Sequence, residues 1–313
     1  MTLSVTPMDY LTLAPGLPPS SRLGFGCGGV MGRAGRARSL RAIAAALDGG
    51  ITHFDVARLY GYGEAEALVG EALKGKRDRV VLVSKFGLAP PRAAGALRAL
   101  KPIAQQLAAR IPGARGMMRA LVGGAVEASD RFSVAAAQAA LDQSLAALQT
   151  DYLDIWFLHD CAADDLTGEL RGFLDAQLAA GKIRAYGAAS TIDTVAQLHA
   201  AHGDTLLYQF PSSITDGNAA RLPGGGRRFI AHSPFARAAR LAGIVPGSDV
   251  HPLMLSHALA APNVAVVLCS MLDEAHLAAN LAALETPRFA EPEIGRFAAR
   301  LADAGPAAHA SAA

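Results

Sequence analysis

Apolar residues along this chain fall into two alternating patterns, short unbroken runs and longer stretches of helical period. The unbroken runs cover residues 23–27, 52–56, 80–86, 152–159, 183–189, 206–210, 228–232 and 264–270. Most are nearly continuous rather than strictly alternating with polar residues, which is what a strand covered on both faces requires. Between them, Ser39 is read as the cap of a helix with Leu40, Ile43 and Leu47 on its inner face and Gly49-Gly50 at its end. Residues 64–74 put Leu68, Val69 and Leu73 inward, and Ser133 opens a helix whose stripe is Ala137, Leu141, Leu145 and Leu148. Further helices are predicted near 165–180, 194–201, 252–260 and 274–284. Eight strands in one alternating series favour a closed (β/α)8 TIM barrel over an open doubly wound sheet, as a single domain over residues 1–313.

Two connections depart from the regular pattern. Residues 211–227 carry Gly217 and Gly224-Gly225-Gly226 and are too short for a good helix, so the sixth helix is expected to be shortened or absent. Residues 87–131 are far longer than a crossover needs and form an insertion after the third strand. From 87 to 126 there is no acidic residue, while Arg92, Arg98, Lys101, Arg110, Arg115 and Arg119 are basic. Leu100, Ile103, Leu107 and Ile111 recur there at helical spacing, with Pro102 suited to a first turn. The insertion is therefore predicted to be a basic helical pair over the barrel mouth. The alternatives are a lid that steers an anionic substrate and a basic amphipathic surface for lipid or a protein partner.

Composition narrows the functional classes. With 29 basic and 27 acidic residues the net charge is +2, and nothing global points to nucleic acid or another charged polymer. Cys27, Cys161 and Cys269 are far apart and lack metal-ligand spacing, so reduced thiols, no metal site and a cytoplasmic location are expected. The first residues lack a basic start followed by an apolar core, and no apolar run is long enough to span a bilayer, so neither an export signal nor a membrane span is expected.

The chemistry gathers where the apolar runs stop. Asp55 and Tyr60 come after Ile51-Thr52-His53-Phe54, Lys85 after Val80-Val81-Leu82-Val83-Ser84, and His159 after Ile155-Trp156-Phe157-Leu158. In a barrel these are the C-terminal strand ends, where active sites are built. Neighbouring second and third strands would let Asp55 pair with Lys85 and keep the ammonium charged. A buried ammonium beside Tyr60 is expected to pull the phenol pKa below its usual value, near 10, making it a proton donor and acceptor. His159, one strand further round, would orient a substrate oxygen against that phenol. Gly24-Phe25-Gly26-Cys27-Gly28-Gly29 has the G-x-G-x-x-G spacing of a dinucleotide fold, but no helix opens immediately after it, so it is read as the first strand running into a loop. His53, His199, His202, His251 and His257 have no such support and are read as ordinary surface or helix residues.

Asp55-Val56-Ala57-x-x-Tyr60-Gly61-x-Gly63-Glu64, Ser84-Lys85, Asp151-Tyr152-Leu153-Asp154 leading to Leu158-His159, and Gly181-Lys182-Ile183-Arg184-x-x-Gly187 resemble the aldo-keto reductase superfamily over most of the chain and in the right order. The resemblance implies a barrel enzyme that moves a hydride between NAD(P)H and an aldehyde, ketone or sugar carbonyl, or runs the reverse alcohol oxidation. By that likeness Tyr60 is the general acid/base, Lys85 and Asp55 tune it, and His159 positions the carbonyl. Cofactor contacts would come from Gly26, Cys27 and Asp55, from Ser190 and Gln209 at the carboxamide, and from His232 under the ring. Ser233, Phe235, Ser270, His276 and Asn280 would hold the phosphates and adenosine. The chain has Ala189-Ser190 where the family usually has Ser-Asn, and His232 where it usually has Tyr. Ser270 and His276 stand where members preferring the 2′-phosphate carry Lys and Arg, which leans the expectation toward NAD(H) or dual use. An NAD-dependent sugar or aldehyde dehydrogenase and a low-turnover, cofactor-binding regulatory subunit are the alternatives. A small-molecule carbonyl or alcohol is the expected partner, with no nucleic acid or membrane.

Overall fold

The computed structural model describes residues 8–90, 130–224, 226–285 and 288–303. Eight parallel strands close on themselves in chain order: β1 (Leu23–Gly26), β2 (His53–Asp55), β3 (Val81–Phe86), β4 (Leu153–His159), β5 (Ile183–Ala189), β6 (Leu207–Pro211), β7 (Phe229–His232) and β8 (Val264–Cys269). The seam pairs Cys269 of β8 with Phe25 of β1. Helices α1 (Arg36–Asp48), α2 (Ala65–Ala72), α3 (Val134–Leu148), α4 (Gly168–Ala179), α5 (Ile192–His202), α6 (Val250–Ala260) and α7 (Glu274–Glu285) lie in the connections, and α8 (Glu291–Asp303) ends the described chain.

The strands are apolar on both faces because each face meets a different core. Val81, Val83, Ile155, Phe157, Leu207, Ile230, Val266 and Leu268 fill the barrel interior. Phe25, Phe54, Leu82, Phe86, Trp156, Tyr208 and Phe210 face the helices, where Ile43, Leu68 and Leu141 meet them. Phe86 and Trp156 stack with ring centroids 4.1 Å apart. A short antiparallel pair, Tyr10–Leu11 with Ser20–Ser21, lies ahead of the barrel. From this segment Leu11, Leu13, Ala14 and Leu17 pack against the interior core and close the barrel base.

Strand parity decides which polar residues enter the barrel, since successive side chains alternate faces. Lys85 shares the inward parity of Val81 and Val83, His159 that of Ile155 and Phe157, Gln209 that of Leu207, and His232 that of Ile230. The apolar interior thus ends, at the C-terminal rim, in a layer of polar groups.

Between β6 and β7 the described residues form only a short 3-10 turn, Asn218–Arg221, in keeping with the expected loss of the sixth helix. The predicted helical pair and lid of the insertion lie outside the described residues. Two expectations are corrected. Ser39 does not cap α1: the cap is Gly35, without a side-chain bond. The Ser39 amide already bonds the Gly35 carbonyl at 3.0 Å, because Arg36-Ala37-Arg38 are good helix formers that carry the helix back one turn. His53 is no surface residue: it is fully buried at the base of the barrel, with Nδ1 3.0 Å from Ser20 Oγ. Its parity with Asp55 sends it inward. Helix α8 was not expected, although Ile294, Phe297 and Leu301 have helical spacing; it packs on α6 through Ile294, Leu301, Leu253 and Met254.

Candidate active site

Tyr60 opens a 3-10 turn, Tyr60–Gly63, that follows β2. Gly61 there has φ 59°, and a Cβ on it would stand 2.6 Å from the Val30 carbonyl oxygen. Glycine both adopts the left-handed backbone and fits the gap, so the turn folds back and leaves the phenol over the barrel mouth. Beneath it, Lys85 Nζ donates to Asp55 Oδ1 at 2.5 Å and to the Val56 carbonyl at 3.2 Å, and lies 5.2 Å from the Tyr60 ring centroid. The His159 ring meets the Tyr60 ring edge-on, with centroids 6.0 Å apart and an interplanar angle of 89°.

Burial dominates the electrostatics. It pushes the Tyr60 phenol above its usual pKa; Lys85 opposes this without reversing it, and Asp55 adds to it. The expected lowering is therefore corrected: desolvation of the phenolate outweighs attraction to the ammonium. Burial alone would lower the pKa of Lys85, but Asp55 and Tyr60 more than offset it and the ammonium is held charged. Burial raises the Asp55 carboxyl against the pull of Lys85. His159 is pushed down to about 3 by burial and then by Lys85, and His232 to about 4 by the same two causes, so both imidazoles are neutral at physiological pH.

These residues line one cleft of about 620 Å³, together with Gly26, Ser190, Gln209, Ser233, Phe235 and Ser270. Ser190 Oγ donates to the Cys161 carbonyl at 2.6 Å, which leaves the hydroxyl oxygen as an acceptor toward the cleft. His232 Nδ1 and Ser233 Oγ are 2.8 Å apart. Three residues expected in the cofactor site stand elsewhere. Cys27 packs in the outer core, where its parity, opposite to that of Gly26, directs it, and Gly28 lines the cleft instead. His276 and Asn280 lie on α7 outside the cleft lining, His276 exposed. Leu88, Asp160 and Thr191 also line the cleft, beyond the residues expected from the sequence. Asp160 and Thr191 directly follow His159 and Ser190, so the strand ends themselves carry the signal.

A nicotinamide dinucleotide fits this donor set. The cleft is within the usual size for a cofactor site. His159 Nδ1 and Gln209 Oε1 are buried polar atoms without a partner among the described residues, and both residues line the cleft, on β4 and β6. Gln209 and the Ser190 oxygen could meet an amide, and the His232 ring could meet an aromatic ring. Among the described residues no group of three His, Cys, Asp or Glu side chains could hold a metal, and no helix is long and apolar enough to cross a membrane.

A 6-dehydroglucose reductase of Novosphingobium aromaticivorans is 30% identical over 187 residues, 56% of this chain and 49% of that protein. The chain spans about half or less of the length of the curated relatives it first matches. Among solved structures, aldo-keto reductase AKR11C1 from Bacillus halodurans in its holo form superposes with a TM-score of 0.71 at 23% identity, covering 94% of this chain and 96% of that one. The aldo/keto reductase from Klebsiella pneumoniae in complex with NADP and acetate gives 0.63 at 23%, covering 90% and 92%. The profile of the aldo/keto reductase family matches residues 22–213, more than half of the chain, and takes in all four strand-end residues, Asp55, Tyr60, Lys85 and His159. The chain belongs to the aldo/keto reductase family.

Proposed function

We propose that the protein is a nicotinamide-dependent reductase of aldehydes, ketones or sugar carbonyls, with Tyr60 as its general acid. The observation that carries this is the convergence of a half-buried phenol, a charged lysine 5.2 Å from its ring and a neutral histidine at its edge, at the mouth of one cleft. NADP bound to the Klebsiella relative and the carbonyl substrate named for the Novosphingobium relative support the same reading. When bound, the dinucleotide supplies the hydride.

The chain's own residues supply the proton and the charge balance. With its pKa raised, Tyr60 holds its proton at neutral pH and can pass it to an oxygen that gains negative charge. The phenolate left behind is stabilised by the Lys85 ammonium, which Asp55 keeps in place at 2.5 Å. His159, neutral, donates one N–H to the substrate oxygen without adding a second positive charge beside Lys85. Oxidation of an alcohol needs the phenolate, which a raised pKa keeps scarce at neutral pH, so the reductive direction is favoured there and the oxidative one at alkaline pH.

Replacing Tyr60 by Phe removes the proton and little else. Carbonyl reduction, followed by the absorbance of the reduced nicotinamide, is expected to fall by about two orders of magnitude or more, with dinucleotide affinity nearly unchanged. Near wild-type kcat in this variant would falsify the assignment. Absence of turnover in the wild-type protein on a broad aldehyde, ketone and sugar panel, despite tight dinucleotide binding, would instead favour a regulatory role.

A further inference from the structure

We propose that Arg33, on the turn between β1 and α1, grips the 2′-phosphate of NADPH, so that the cleft takes the phosphorylated dinucleotide although the loop after β8 carries no cation. The proposal rests on the dinucleotide reading above and goes beyond it to cofactor choice. Ser270 lines the cleft, and Arg33 Nη2 donates to its hydroxyl at 3.1 Å. The loop that follows, Ser270-Met271-Leu272-Asp273, has no basic side chain of its own. Only a residue from another element can bring a positive charge to this rim.

Four arginines, Arg33, Arg36, Arg38 and Arg41, stand at this end of α1. Arg36 and Arg38 are neutralised, and Arg41 lies with Arg38 against Leu272 and Asp273 in a separate pocket outside the cleft lining. Among the described residues Arg33 alone of the four bonds a residue that lines the cleft. Arg36 pairs with Glu71 at 2.5 Å, and Arg38 pairs with Asp273 at 2.7 Å while also donating to the Leu272 carbonyl. Arg33 has no carboxylate partner among the described residues, and it is exposed. Its one bond to Ser270 leaves most of the five guanidinium N–H donors available, enough for a bidentate contact with phosphate oxygens.

The turn is built to send this side chain across. Arg33 and Ala34 both donate their amides to the Gly29 carbonyl, at 3.0 and 3.1 Å. A Cβ on Gly29 would stand 2.4 Å from Leu272 Cδ1 and 3.2 Å from Arg33 Nε and Nη2. The missing Cβ is the passage through which the loop after β8 approaches β1 and the Arg33 side chain reaches Ser270. Arg33 stands at the rim, not in the floor beside Tyr60 and His159, which suits the end of the dinucleotide remote from the nicotinamide. A terminal phosphomonoester carries close to two negative charges. It gains more from a solvent-facing guanidinium than a bare ribose hydroxyl does.

The test is equilibrium binding of NADPH and of NADH to the full-length protein, by quenching of intrinsic fluorescence, for wild type, Arg33→Ala and Arg33→Lys. Arg33→Ala is expected to weaken NADPH about tenfold or more and NADH by about twofold or less. Arg33→Lys should recover part of the loss, because it keeps the charge and loses the fork. Added salt should weaken NADPH binding more in wild type than in Arg33→Ala. Equal loss of both dinucleotides, which would place Arg33 on the shared diphosphate, or no loss of either, would overturn the proposal. If wild type binds neither, the dinucleotide reading falls with it; if wild type binds both and Arg33→Ala changes nothing, only Arg33 is wrong.

Discussion

Lys85 is 1% exposed and Asp55 3%, so each charge persists at the barrel mouth only because the other is there. Lys85→Met leaves a carboxylate buried without its partner, and a loss of about 3–5 kcal/mol in stability is expected along with the loss of activity. Asp55→Asn is the more informative change. Asp55 raises the phenol pKa, so removing its charge should move the alkaline limb of the pH–rate profile to lower pH while kcat falls; an unmoved limb would show that Asp55 acts on Lys85 alone. The identity of these residues was legible because each one interrupts an apolar run at a strand end. The direction of the Tyr60 shift was not, because spacing reveals that a cation is near but not how far burial has already raised the phenol. The Cys27 side chain faces the outer core for a simpler reason: a shift of one residue along a strand exchanges inside for outside.

At the level of elements, the turn Tyr60–Gly63 joins the second strand to the chemistry. Gly61→Ala would require φ 59° of an alanine and bring its Cβ to 2.6 Å from a backbone oxygen, so the turn must move and take the phenol with it. A drop in kcat of about tenfold or more, with dinucleotide affinity preserved and only a small loss in Tm, is the expected outcome, and unchanged kcat would mean that the phenol's position is set elsewhere. The strands could be read because runs apolar on both faces have few other uses, and the missing sixth helix because glycines crowd a short connection. The start of α1 was misplaced because serine is a common cap, yet nothing in the sequence told that Gly35 would take the role. Helix α8 went unread because the barrel count was complete without it, although its apolar stripe was visible.

For the whole molecule, histidines held neutral by burial weaken the fold in acid, His53, His159 and His232 foremost and His257 in the same direction, while the raised carboxyls of Asp55 and Glu66 act in the opposite sense. His53 and His159 are held down to about 3 and His232 to about 4, each with burial as the first cause. In the unfolded chain an imidazole titrates near 6.5, so below that pH the unfolded state binds protons that the folded state refuses. The stability these groups contribute is complete above about pH 6.5 and declines as pH falls toward their folded values. Between pH 7 and 5 the decline is expected to be about 2 kcal/mol per histidine. Urea unfolding at the two pH values measures it, and His53→Gln should flatten the dependence without touching the catalytic rim. A pH dependence unchanged by His53→Gln would mean that His53 is hydrated in the folded state, a comparison that the opposing carboxyls Asp55 and Glu66 do not mask.

The seam between β1 and β8 has a bearing on how the chain is made. Arg22 is buried beside this seam, and its guanidinium bonds the carbonyls of Leu259, Val264 and Ala265, residues 237 to 243 positions further along. Until that last strand has left the ribosome, the first strand has only one neighbour, and its other side offers unpaired amides and carbonyls to any strand nearby. Ring closure therefore has to wait until β8 has been made, late in the order of synthesis. A nascent chain stalled before Val264 is an open, adhesive sheet carrying an unfinished active site, and the time spent in that state sets how much the cell must protect it from aggregation.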